Sequence, residues 1–163
     1  MPSVDVVSQV DMQAMDNAIN NVKREVTTRF DFKNVETDVA LDRKTKKIYL
    51  LSGDELKIKA IIDMLIGHCI RLKIDQKCLD FGHIEPTSKG AAKMEISVKE
   101  GIPKETGQKI VKMVKGLKFK VQPALQGDQV RLTGKKIDEL QAIMQLLKDG
   151  DYDIPLQFVN MKS

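Results

Sequence analysis

The chain has 163 residues, 42% hydrophobic and 31% charged, with a formal net charge of +4. That balance belongs to an ordinary globular protein rather than a fibrous or disordered one. No apolar run approaches the roughly 18 residues that span a bilayer. The start, Met1-Pro2-Ser3-Val4-Asp5, lacks the charged, apolar and small-residue regions of a secretory signal, so a cytoplasmic protein with no membrane partner is expected.

In chain order, Val4, Val6 and Val10 read as a short strand. Asp11 is a natural cap for a helix whose Met15, Ala18, Ile19, Val22 and Val26 recur at helical spacing. Strands near 35–41 and 47–51 flank the polar turn Asp42-Arg43-Lys44-Thr45-Lys46. Ser52 is expected to cap a second helix with Ile58, Ile61, Ile62, Leu65 and Cys69 on one face. A weak strand follows near 77–81, and the segment near 85–91 reads as a linker. Met94, Ile96 and Val98 then alternate as a half-buried strand. Pro103 suits the first turn of a helix striped by Ile110, Met113, Val114 and Leu117. Strands near 119–126 and 129–132 flank the turn Gly127-Asp128. Thr133 is expected to cap the last helix, with Ile137, Leu140, Ile143, Met144 and Leu147 inward, before an edge strand at 155–159.

This order repeats itself. Ile48-Tyr49-Leu50-Leu51-Ser52-Gly53 leads into a helix holding Ala60-Ile61-Ile62-Asp63-Met64-Leu65. About eighty residues on, Val130-Arg131-Leu132-Thr133-Gly134 leads into Ala142-Ile143-Met144-Gln145-Leu146-Leu147. The expected class is α+β, a tandem duplication of two ferredoxin-like βαββαβ domains.

Several motifs are also familiar. Pro2-Ser3-Val4-Asp5-Val6-Val7-Ser8, Asn20-Asn21-Val22-Lys23-Arg24-Glu25, Arg29-Phe30-Asp31-Phe32-Lys33, Lys109-Ile110-Val111-Lys112-Met113-Val114-Lys115 and Gln126-Gly127-Asp128-Gln129-Val130-Arg131-Leu132-Thr133-Gly134-Lys135 closely resemble the YajQ family. The resemblance runs over nearly the whole chain and is loosest around 66–90. It implies ferredoxin-like domains that exchange their first strands. Residues 10–99 would then form one domain, completed by the strand near 92–99, and residues 1–9 with 100–163 the other. It also implies a nucleotide ligand (cyclic di-GMP, GTP or ATP) or RNA, for example tRNA.

Three groups of residues could meet such a ligand. Lys109, Lys112 and Lys115 lie opposite the apolar stripe of their helix, as either a solvated face or a row for phosphates, on a basic surface or inter-domain groove. Arg29 and Lys33 flank Phe30 and Phe32, in a chain only 4% aromatic. Alternation puts both rings on one side, either packed in the core or available for base stacking. Gln126, Arg131, Thr133 and Lys135 surround the second hairpin, where Arg131 could fork onto phosphate or a guanine edge and Thr133 could simply cap. Thr133-Gly134-Lys135 is not a P-loop, because G-x-x-x-x-G-K-[ST] is absent.

Other chemistries find little support. Cys69, Cys78, His68 and His83 show neither C-x-x-C nor H-x-x-x-H spacing, so no metal or cofactor is expected. No nucleophile–base signature points to an enzyme, and Asp5, Asp11 and Asp31 read as capping or surface acids. One strand aromatic, Tyr49, is too few for the usual RNA-recognition sheet. The readings are a nucleotide-binding regulator, an RNA-associated module, and an interaction protein whose basic face meets an acidic partner such as a transcription factor.

Overall fold

The hydrophobic periodicities resolve into four α-helices and nine strands in two antiparallel sheets, an α+β architecture. The computed structural model describes all residues, Met1–Ser163. The chain divides into two compact units: residues 10–99, the central unit, and residues 1–9 with 100–163, the terminal unit.

In the central unit, helix α1 (Met12–Thr28) starts at Asp11, whose Oδ1 accepts from the Gln13 and Ala14 amides at 3.0 and 3.1 Å. Its Met15, Ala18, Ile19 and Val22 are buried. Strands β2 (Asp38–Asp42) and β3 (Lys47–Ser52) form a hairpin, and helix α2 (Glu55–Arg71) packs against α1 and the sheet. Short strands β4 (Leu79–Phe81) and β5 (Glu85–Pro86) each pair antiparallel with β6 (Ala92–Val98). The main path of the sheet runs β2-β3-β6-β4. Alternation sends Ile48, Leu50, Met94 and Ile96 into one core with the buried faces of α1 and α2.

Two sequence expectations change here. Ser52 does not cap α2: it ends β3, where its buried hydroxyl lies 2.9 Å from Thr37 Oγ1. Asp54 caps instead, its Oδ1 accepting from the Lys57 amide at 2.8 Å, because a carboxylate two residues later sits nearer the first free N–H groups. The stretch at 85–91 is no plain linker, since β5 pairs with β6 and the Thr87 amide donates to the Ala91 carbonyl at 2.9 Å.

In the terminal unit, β1 (Ser3–Val7) sits inside a sheet otherwise built from the far end of the chain. Helix α3 (Lys104–Lys115), strands β7 (Val121–Gln126) and β8 (Gln129–Gly134), helix α4 (Ile137–Asp149) and strand β9 (Gln157–Lys162) complete it. The strand order is β7-β8-β1-β9. Val4, Val6, Val130 and Leu132 meet Ile110, Val114, Leu140, Ile143 and Leu147 in a second core. Thr133 lies inside β8, paired with Gln122 and Ser3, so it caps nothing; Lys136 precedes α4 without a side-chain cap. Ile137, expected inward, is 37% exposed because it opens the first turn of α4, ahead of the buried stripe.

The repeated strands β3 and β8 carry the same alternation of buried and open positions, with Ile48 and Leu50 matched by Val130 and Leu132. Tyr49 and Arg131 therefore hold equivalent places on the opposite faces of their sheets. Tyr49 is directly across from Glu95, and Arg131 from Asp5.

Candidate functional site

Helix α3 buries Gly107, Ile110 and Val114 against its sheet, and that orientation leaves Lys109, Lys112 and Lys115 outside. The three lysines line a groove of about 770 Å³ beside β7, together with Glu105, Gln108, Val111, Pro123 and Leu125. That volume lies within the ordinary range for small-molecule sites. Strand alternation aims Pro123 and Leu125 at the helix side, so the floor is apolar, while the rim carries three lysines against the single acid Glu105. No ion pair engages any of the three lysines. Their ammonium groups are free to meet an anion.

Two residues shape this floor. Gly107 lies buried in the helix, and a Cβ there would come 2.5 Å from Leu125 Cδ1. The missing side chain lets Leu125 lie against the helix backbone. Pro123 is tolerated because β7 is an edge strand with no neighbour on one side. The lysine row was legible in the sequence, but the Val111, Pro123 and Leu125 floor was not. A glycine inside a helical pattern was the available signal.

The remaining candidates of this unit lie elsewhere. Gln126 and Thr133 alternate onto the sheet face opposite α3, as does Arg131, and Lys135 is exposed just past β8. Arg131 is engaged: its Nε donates to Asp5 Oδ1 at 2.8 Å and its Nη2 to Oδ2 at 3.3 Å. Asn160 Nδ2 donates to the same carboxylate at 3.0 Å. Asp5 is 1% exposed, so it is neither a cap nor a surface acid. The Arg131 hydrogen bonds hold its carboxyl below the ordinary carboxylate range, outweighing the opposing effect of burial, with Asn160 adding to the lowering.

Arg29, Phe30, Phe32 and Lys33 lie in the central unit, around a short 3-10 turn over Phe30–Phe32. The turn breaks strand alternation and separates the two rings, contrary to the sequence expectation. Phe32 is buried, with the Arg29 guanidinium and the Lys57 ammonium 5.7 and 5.5 Å from its ring centre. Phe30 is 86% exposed. Arg29 forms a two-pronged pair with Asp31 at 3.0 and 2.9 Å, while Lys33 is exposed. The structure thus gathers Lys109, Lys112 and Lys115 in one groove and leaves Arg29 and Lys33 on the other unit.

The four candidate metal ligands have separate occupations. His68 Nε2 lies 2.8 Å from Glu25 Oε1, and His83 is exposed in a loop. Cys69 and Cys78 are free and buried, and burial pushes their thiols up to about 12 and about 11. No group of three or more His, Cys, Asp or Glu side chains is arranged to hold a metal ion. No helix is long and apolar enough to cross a membrane.

Fold and groove together define an α+β protein with a lysine-rimmed, apolar-floored groove of ligand size in its terminal unit. Residues 2–162 match the family model described as nucleotide-binding protein YajQ-like, and the chain belongs to that family. Full-length relatives agree. A protein of Nitratidesulfovibrio vulgaris named as a nucleotide-binding protein is 58% identical over all of both chains. One so named from Dehalococcoides mccartyi is 57% identical over 99% of each, and one from Syntrophotalea carbinolica is 46% identical over all of both.

Proposed function

We propose that this chain binds a nucleotide through the α3–β7 groove, with the phosphates on Lys109, Lys112 and Lys115 and the apolar part over Val111, Pro123 and Leu125. The observation that carries this reading is the row of three unpaired lysines above an apolar floor. A nucleotide has the same two halves, a polyanion and a flat, weakly polar ring. The names of the relatives support the ligand class. Cyclic di-GMP, GTP and ATP are the ligands to try first, as the family resemblance implies.

The role proposed is regulatory rather than catalytic: a cytoplasmic receptor whose output is a partner protein such as a transcription factor. Each unit is proposed to be a ferredoxin-like domain with an exchanged first strand. Supporting this, β1 lies beside the β7–β8 hairpin and β6 beside the β2–β3 hairpin, in the orders β7-β8-β1-β9 and β2-β3-β6-β4. The boundaries would be 10–99 for one domain and 1–9 with 100–163 for the other, in agreement with the two compact units.

Titration calorimetry on the nucleic-acid-free protein tests the ligand. A saturable binding isotherm for cyclic di-GMP, GTP or ATP whose phosphate-dependent component is lost in a folded Lys112→Glu variant supports the reading. The RNA alternative rests on the net charge of +4 and the same lysines. It requires salt-sensitive binding of a short RNA, with a log–log slope of roughly 0.7 per phosphate contacted, and no preference among mononucleotides.

A further inference from the structure

The duplication offers a comparison within one chain. On the face of the terminal sheet turned away from α3 and α4, Arg131 and Asp5 stand directly opposite each other and close that position as an ion pair. At the equivalent place in the central sheet stand Tyr49 and Glu95, and there a cavity of about 540 Å³ lies open. We infer that this cavity, lined by Tyr49, Leu51, Lys93, Glu85 and Asp38 on the open face of the central sheet, is a nucleobase pocket that takes a guanine nucleoside.

Strand register fixes the layout. Asp38 pairs with Leu51, Leu51 with Lys93, and Lys93 with Glu85, giving one row across the strands. Ala40, Tyr49 and Glu95 form the next row, two residues along. Gly82 ends that row: its amide donates to the Glu95 carbonyl at 3.0 Å, and a Cβ there would lie 2.7 Å from that oxygen. The wall beside Glu95 is therefore bare backbone, which keeps the cavity open on that side. The Tyr49 side chain is 38% exposed, and Leu51 beside it extends an apolar floor on which a flat ring can stack.

The polar groups select the ring. Lys93 and Glu85 are directly opposed, which sets a cationic donor beside a two-oxygen acceptor. Guanine presents the matching edge: O6 accepts from an ammonium, while N1–H and the N2 amino group both donate to a carboxylate. Adenine offers a donor at N6 but a lone pair at N1, so one carboxylate oxygen would face another acceptor. Glu85 and Asp38 form no ion pair, whereas Glu95 is 3.6 Å from Lys47. Asp38 and Glu85 stand unpaired against Lys93, with Glu95 near Lys47 and His83 completing the polar lining. That balance disfavours a phosphate inside the cavity, so the base enters and any phosphate stays outside. This pocket shares no residue with the α3–β7 groove, whose rim carries three lysines.

The test is amide-shift mapping of the full isotope-labelled chain with guanosine, adenosine and inorganic pyrophosphate as separate probes. Guanosine, which has no phosphate, should saturate shifts at Tyr49, Leu51, Gly82 and Lys93, with adenosine roughly tenfold weaker. Glu85→Gln should weaken guanosine by roughly tenfold, and Tyr49→Ala by a similar factor, each with the parent's circular-dichroism spectrum. Both substituted residues are exposed, so neither change empties the core. No saturable guanosine shifts up to millimolar concentration would overturn the inference. So would equal adenosine affinity, or a folded Glu85→Gln variant that binds as the parent does. Pyrophosphate reports separately on Lys109, Lys112 and Lys115, so failure here is distinguishable from failure of the groove.

Discussion

Arg131 and Asp5 are cross-strand neighbours, and the guanidinium clasps a carboxylate that is almost wholly buried. Arg131 is therefore a poor probe of ligand binding, because removing it strips a buried acid of its main partner. Asp5→Ala should destabilise the protein by about 2 kcal/mol, since hydrogen bonds from a charged donor and from Asn160 are lost together. Chemical denaturation of Asp5→Ala against the parent measures this.

The same pair predicts a pH dependence. The folded protein holds the Asp5 carboxyl below its ordinary value, whereas the unfolded chain titrates near pH 4. The stabilisation is therefore complete above about pH 4 and lost as the pH falls through the lowered value. Asp31 and Asp42 are lowered in the same direction, by Arg29 and by the Thr45 and Lys44 amides, and add to this acid limb. Stability curves between pH 2 and 6 should be shallower in Asp5→Asn than in the parent.

The two phenylalanines of one short turn should respond oppositely. Phe32→Ala empties a buried site and should cost about 3 kcal/mol. Phe30→Ala touches an exposed ring and should change stability by no more than about 0.5 kcal/mol. Melting curves of the two variants decide this directly.

Thiol chemistry offers a fourth check. Burial raises Cys69 to about 12 and Cys78 to about 11, so almost no thiolate is present near neutral pH. Alkylation by iodoacetamide at pH 8 should be slow in the folded protein and fast in denaturant. Rapid labelling of the native chain would show that these thiols are reached without unfolding.

Gly107 tests the construction of the groove. A methyl group at this position meets the flexible end of Leu125, which can swing aside, so Gly107→Ala should fold. Displacing Leu125 disturbs the apolar floor while leaving the lysines in place. Nucleotide affinity should fall several-fold with an unchanged salt slope, because no phosphate contact is lost.

The helices were legible because their apolar residues recur at helical spacing, and Met15, Ile61, Ile110 and Ile143 are buried as that spacing requires. Caps were less so. Ser52 and Thr133 have the right chemistry, but each is the penultimate or last residue of a strand whose ladder claims it. The split of Phe30 from Phe32 was hidden because a three-residue 3-10 turn leaves no periodic trace. The lysine row of α3 followed from the opposite stripe. Its floor depends on a strand coming alongside from outside the helix, and periodicity within one element cannot reveal such a contact.

The groove is tested most directly by mapping the amide shifts of the isotope-labelled protein during titration with GTP, in the parent and in Lys112→Glu. The account predicts saturable shifts at Lys109, Lys112, Lys115 and Leu125, with affinity reduced roughly tenfold in the variant. GTP that leaves these four amides unmoved, or shifts at these four amides that titrate with the parent's affinity in a folded Lys112→Glu protein, would contradict it.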